Sequence, residues 1–195
     1  MCSSDLSWRY EARLSGSGGQ GLILAGKILA EAAAIYEDRN ATQSQSYGPE
    51  ARGGASRSEV IISDDDIDFP KATRLDLLLC LTQEACDKYV CDLKEDGILI
   101  ADGKFVKNLP AGKFRILTAP ISELAENEVG KAVTANMIAL GLIIGATGVV
   151  QPDSTERAIS ARVPRGSEEL NLKAFRLGLE KSKESSGNGA ANDSE

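Results

Sequence analysis

Arg9-Tyr10-Glu11-Ala12-Arg13-Leu14-Ser15-Gly16-Ser17-Gly18-Gly19-Gln20-Gly21-Leu22 is the stretch from which the fold is read. Tyr10, Ala12 and Leu14 alternate with polar residues, the period of a strand. After the glycines, Leu22, Ala25, Leu29, Ala32 and Tyr36 recur at helical spacing. A strand that turns through glycines into a helix presents unpaired backbone N–H groups at the helix N-terminus, and these attract phosphate. Gly16, Gly18 and Gly21 fit G-x-G-x-x-G. The spacing alone is equally satisfied by glycines that merely let the strand and helix pack closely. A nicotinamide dinucleotide is disfavoured against both readings. The next candidate strand, Ala41 to Ser46, lacks a terminal acid to hold the ribose, and Asp38 precedes it in a turn.

Outward from this unit the chain alternates strands and helices. Strands are expected over Ala41–Ser46, Ser56–Ser63, Leu75–Cys80, Gly97–Ala101 and Phe114–Leu117. Leu75–Cys80 is broken only by Asp76, as in a parallel strand buried on both faces. Thr82 is the expected N-cap of a helix reaching about Leu93, Pro120 and Ser122 open a short turn, and Val129 begins a long helix. Ser154–Arg162 and Glu168–Lys181 are amphipathic helices separated by Pro164 and Gly166. The expectation is one α/β domain over residues 1–181, three layers deep, with a mixed, mostly parallel, Rossmann-like central sheet. Residues 182–195, rich in Ser, Gly, Asn, Asp and Glu, read as a disordered polar tail.

Composition narrows the chemistry. The 195 residues are one domain's worth, 42% are hydrophobic and only 5% aromatic, so the core is aliphatic. A net charge of −7 argues against nucleic acid and anionic membrane as partners. There is no histidine, which removes the commonest general base, the usual triads and most zinc sites. Cys2, Cys80, Cys86 and Cys91 form no C-x-x-C; Cys80 reads as buried, and Cys86 and Cys91 as reduced thiols flanking a helix. No signal peptide is read at the start, and a reducing cytoplasm is the expected compartment. Asp64, Asp65, Asp66 and Asp68 read as a solvated acidic turn rather than a metal site. Ala132 to Pro152 is uncharged and long enough to span a bilayer, but Thr134, Asn136, Thr147 and three glycines dilute it. A helix apolar on all sides is what a buried core or a subunit contact requires, and that reading is preferred.

The loop Gln43-Ser44-Gln45-Ser46-Tyr47-Gly48-Pro49-Glu50-Ala51-Arg52-Gly53-Gly54 gathers an acid, a cation, an aromatic ring and glycines between two strands. Arg52 beside Gly53 is placed to meet an anionic ligand, or to form a surface ion pair with Glu50. With Arg13 through Gly21, Ser46 through Ser63, Asn136 through Gly148 and Leu170 through Gly178, this loop resembles the gamma subunit of the 2-oxoacid:ferredoxin oxidoreductases, equivalent to domain III of the single-chain pyruvate enzymes. Tyr47 before Gly-Pro-Glu and Ala51-Arg52-Gly53-Gly54-Ala55-Ser56 after it are similar to the 2-oxoglutarate type. Other members act on pyruvate, branched-chain 2-oxoacids or indolepyruvate.

The resemblance implies a reaction shared among subunits. A 2-oxoacid is decarboxylated on thiamine diphosphate, electrons leave through iron–sulfur clusters to ferredoxin, and the acyl group passes to coenzyme A. This chain has no Gly-Asp-Gly thiamine motif and no cluster cysteines, so thiamine diphosphate, Mg and [4Fe-4S] clusters are expected in partner alpha, beta and delta subunits. No catalytic or metal-binding residue is assigned here. Gly16, Gly18, Gly19, Gln20, Gly21, Arg52 and Gly53 are the expected contacts to coenzyme A or its phosphates. Tyr47, Gly48, Pro49, Glu50, Arg52 and Asn136 are the expected interface to partner subunits. A stand-alone dinucleotide-binding or regulatory module is the alternative from another class.

Overall fold

The computed structural model describes residues 8–47 and 55–187. Six strands form one sheet in the order β2-β3-β1-β4-β5-β6. They are β1 (Arg9–Ser17), β2 (Asn40–Tyr47), β3 (Ala55–Ser63), β4 (Leu75–Cys80), β5 (Leu93–Asp102) and β6 (Arg115–Ala119). β1, β4, β5 and β6 pair in parallel, and only β3 runs against its neighbours. The sheet is therefore mixed and mostly parallel. It departs from a nucleotide-binding βαβ unit in one respect. After β1 and helix α1 (Leu22–Tyr36), the chain crosses to β2, and β3 then returns antiparallel between them. The place beside β1 where a ribose-holding acid is expected belongs to β3.

Side-chain alternation divides the sheet into two cores. Ala12 and Leu14 of β1, Val60 and Ile62 of β3, and Leu77 and Leu79 of β4 face α1 and α4 (Ala135–Thr147). α5 (Pro152–Arg162) and α6 (Glu168–Gly187) complete that side. On the other face Ile61, Leu75, Leu78, Cys80 and Leu99 lie under the seven-residue α2 (Gln83–Tyr89) and the surrounding loops. The continuous apolar run of β4 is explained by burial on both faces. The polar side of β1 is buried too. Arg13 bonds Glu59 at 2.9 Å, the Asp92 carboxylate and the Ala72 carbonyl, with its guanidinium 4.9 Å from the centre of the Tyr89 ring. Glu11 accepts from the Thr73 and Arg74 N–H groups at 2.7 and 3.1 Å. These bonds pin α2 and the loop before β4 to the sheet.

Three expected boundaries move. Leu93 opens β5, because α2 ends at Tyr89 and a single 3-10 turn, Val90–Asp92, follows; Cys86 lies inside α2 and Cys91 in that turn. Val129 does not begin the long helix. α3 (Ile121–Leu124) runs into a π-type turn that stops at Gly130, whose φ of 85° reverses the chain, and α4 begins at Ala135. α6 continues past Lys181 to Gly187, since the Ser182 hydroxyl bonds the Leu179 carbonyl at 2.7 Å and Ser182 is buried. Residues 188–195 of the expected tail lie outside the described residues.

α4 is buried from Ala135 through Ile144, as its lack of charge implies. α4 and α6 cross with their backbones in contact. Gly141 faces Gly178, and a Cβ on Gly141 would lie 2.8 Å from the Leu179 nitrogen and closer still to the Phe175 carbonyl. Among the described residues no helix is long and apolar enough to cross a membrane.

Candidate functional site

The glycine loop leaves the carboxyl end of β1, and each glycine has a different reason to be there. A Cβ on Gly16 would sit 3.1 Å from Leu81 Cβ and would collide with the Gln20 side chain. That side chain is committed locally, with its Oε1 accepting from the Ser17 N–H at 2.7 Å. Gly19 and Gly21 have φ of 89° and 73°, a conformation that costs other residues about 1–2 kcal/mol. At Gly18 and Gly19 nothing lies within 4 Å of an added Cβ, so the tip of the loop is open.

Gly21 is the N-cap of α1, and no side chain caps that helix or places an acid in its first turn. Its first N–H groups are left for solvent or for an anionic ligand, and the helix dipole favours the anion by about 0.3–1 kcal/mol. Asn136, the second residue of α4, supports the loop from beneath. Its Nδ2 donates to the Gly21 carbonyl at 3.1 Å, and a Cβ on Gly21 would lie 3.1 Å from its Cγ. Asn136 is 3% exposed, and the contact that its side-chain nitrogen makes is the one to Gly21.

Beside the loop tip lies a cavity of about 340 Å³ lined by Gly19, Gln20, Phe105, Ser122, Glu126 and Val133. Its floor is ordered by Asp102 at the end of β5. That buried carboxylate accepts from the Ser122 N–H and hydroxyl and from the Lys104 N–H. Glu126 is engaged by Lys104 at 3.0 Å, which blunts its charge towards an incoming anion. Phe105 and Val133 are 47% and 64% exposed, apolar surface at the rim. Sequence reasoning missed this wall. Its one local signal was Asp102-Gly103 at a strand end, which reads equally as a turn.

The strand ends that flank the second expected loop lie at the same end of the sheet as the glycine loop. Ser17, the last residue of β1, pairs with Ala55, the first of β3, and Tyr47 ends β2 opposite Ser56. Gly48, Pro49, Glu50, Arg52 and Gly53 lie outside the described residues, but the strands that carry them end beside the glycine loop. The described residues thus bring Gly16, Gly18, Gly19, Gln20, Gly21 and Asn136 together and put the root of the second loop next to them. Cys80 and Cys86 are buried and Cys91 is exposed, and among the described residues no three His, Cys, Asp or Glu side chains are arranged to hold a metal. Asp64, Asp65, Asp66 and Asp68 line an open hollow with Asn40 at the far end of β2.

Residues 11–181 match the family model described as pyruvate ferredoxin/flavodoxin oxidoreductase. The chain belongs to this family. It is 49% identical over 178 residues to the 2-oxoglutarate synthase subunit KorC of Methanocaldococcus jannaschii, covering 90% of this chain and 95% of that one. It is 30% identical to the pyruvate synthase subunit PorC of Methanothermobacter marburgensis, over 90% of this chain and 98% of the relative. Among solved structures, the gamma subunit of a keto/oxoacid ferredoxin oxidoreductase from Geobacter sulfurreducens superposes with a TM-score of 0.85 at 53% identity, covering 91% of this chain and 98% of that one. The relatives of matching length carry names that describe them as subunits.

Proposed function

We propose that this chain is the gamma subunit of a 2-oxoglutarate:ferredoxin oxidoreductase. In that reaction 2-oxoglutarate and coenzyme A become succinyl-CoA and CO2, and the electrons pass to ferredoxin. The observation that carries the substrate assignment is the gradient of similarity, from 49% to a 2-oxoglutarate synthase subunit down to 30% to a pyruvate synthase subunit of equal span. We assign thiamine diphosphate, Mg and the iron–sulfur clusters to partner alpha, beta and delta subunits, in line with a sequence that carries no Gly-Asp-Gly motif and no C-x-x-C. Thiamine diphosphate supplies the electron sink for decarboxylation. This chain positions the acyl acceptor and joins the assembly.

The glycine loop is the proposed coenzyme A contact. An uncapped helix N-terminus behind an open loop tip suits a phosphate, and Phe105 and Val133 offer apolar surface alongside it. Arg52 and Gly53 would approach from the loop rooted beside Ser17. Gly18→Leu is the sharpest test, because a Cβ there has no atom within 4 Å and Gly18 is not among the glycines at positive φ. In the reconstituted complex the variant is expected to raise the KM for coenzyme A about fivefold, the loss of one dipole-stabilised phosphate contact of about 1 kcal/mol. The KM for 2-oxoglutarate should stay unchanged. A complex that fails to assemble would instead assign this loop to subunit contact. A panel of 2-oxoacids offered to the same complex tests the substrate assignment.

A further inference from the structure

β2 is a free edge of the sheet. It pairs with β3 from Asn40 opposite Ser63 to Tyr47 opposite Ser56 without a register shift, and among the described residues no strand pairs with its other side. An edge of this length is normally guarded by charge, proline or a bulge, because its unpaired N–H and C=O groups invite another strand. β2 reads Asn-Ala-Thr-Gln-Ser-Gln-Ser-Tyr and carries none of these guards. The opposite edge, β6, is five residues long and begins with Arg115.

The two ends of β2 differ in charge. At the Asn40 end lie Asp64, Asp65, Asp66 and Asp68, with Arg39 paired to Asp64 at 3.2 Å and Arg9 paired to Glu11 at 2.8 Å. At the other end Ser44, Gln45 and Ser46 share a hollow with Arg57, Lys71 and Glu59, where the single carboxylate of Glu59 is shared between the buried Arg13 at 2.8 Å and Arg57 at 3.5 Å, so the cations outnumber it. A strand that is acidic at one end and basic at the other is complementary to itself when reversed.

We propose that β2 pairs antiparallel with β2 of a second copy of this chain. The two-fold axis would run perpendicular to the sheet near Ser44 and join the two sheets into one. Antiparallel pairing about such an axis keeps each face of the sheet continuous and lays nearly the whole strand against its twin. It sets the aspartates of each copy towards the Arg57 and Lys71 of the other. The contact is isologous, as closed dimers require. Backbone bonds supply the affinity and the charged ends set the orientation, so added salt weakens the dimer.

The test is the mass of the full chain in solution by light scattering, with and without Ser44→Lys. The wild type is expected to be a dimer at micromolar concentration. Ser44→Lys sets like charges across the axis, and the dissociation constant should rise about tenfold or more with unchanged circular dichroism. In a Cys2→Ser, Cys91→Ser background, Ser44→Cys should give a disulfide-linked dimer under mild oxidation, because paired Cβ atoms approach within about 5 Å. A wild-type monomer at all accessible concentrations would overturn the proposal, as would a dimer indifferent to Ser44→Lys. A monomer that loses its place in the holoenzyme on Ser44→Lys would also overturn it, by assigning the edge to a strand of a different subunit.

Discussion

Replacing Gly141 with alanine adds one methyl group at the α4–α6 crossing, and the structure fixes what that methyl meets. Its carbon would lie 2.8 Å from the Leu179 nitrogen, 2.9 Å from Gly178 Cα and closer still to the Phe175 carbonyl. Favourable carbon contacts begin at about 3.5 Å, so the shortfall is roughly 0.6–0.7 Å on two atoms and more than about 1 Å on the Phe175 carbonyl oxygen. All three are backbone, and no side chain can swing aside. The helices must separate, opening gaps among Ile138, Leu142 and Phe175, which are fully buried. Overpacking of this kind costs up to about 3 kcal/mol, and alanine recovers about 1 kcal/mol of helix propensity. The expected net loss is about 2 kcal/mol, or a fall in Tm of about 4–8 °C for a chain of this size. Thermal denaturation followed by circular dichroism measures it, with Gly18→Ala as the control. An added methyl at Gly18 meets nothing and should shift stability by no more than about 0.5 kcal/mol. A Gly141→Ala protein as stable as that control would refute the close crossing. Gly178→Ala, whose Cβ would meet the Ile138 carbonyl, should cost a similar amount, and the double variant less than the sum.

Other outcomes follow from single contacts. Asn136→Ala removes the bond to the Gly21 carbonyl but also a buried Oδ1 without a partner, so stability should fall by only about 1 kcal/mol while the KM for coenzyme A rises in the assembled enzyme. The Arg176 guanidinium holds the Glu156 carboxyl below its ordinary pKa. A lowered carboxyl pKa stabilises the fold above the unfolded value, and the gain is lost as pH falls through the folded value. Glu156→Gln should therefore be slightly less stable than wild type at neutral pH and equal to it in acid, as denaturant titrations at several pH values will read. In a Cys2→Ser background a thiol reagent should modify Cys91 rapidly. Cys80, whose thiol is pushed up by its contact with Cys86 and by burial, should react only on unfolding.

Much of the architecture could be read locally. Leu75–Cys80 announced a strand buried on both faces, Thr82 caps α2 through the Ala85 N–H at 3.3 Å, and the uncharged run around Met137–Ile144 is the buried α4. The glycine loop was legible because its constraints are local: a tight turn, positive φ and an uncapped helix. What escaped depends on partners far away in sequence. Nothing within Ala55–Ser63 says that it runs antiparallel between β1 and β2, because that is decided by pairing with Arg9–Ser17. Arg13 and Glu11 carry no local mark of burial, because their partners Glu59, Asp92 and Thr73 lie 46 to 79 residues away. Ser122 and Phe105 join the site only because β5 and β6 are neighbours. The helix end at Gly187 was missed because serines weaken helix propensity, whereas Gly145 leaves room for Ser182 against α4.

The reversed third strand has a mechanical meaning. Because Ser17 and Ala55 share a rung of the same ladder, the chain leaving one and the chain entering the other cannot shift independently. A displacement of the first segment is therefore carried to the root of the second along the main chain, without any side-chain relay.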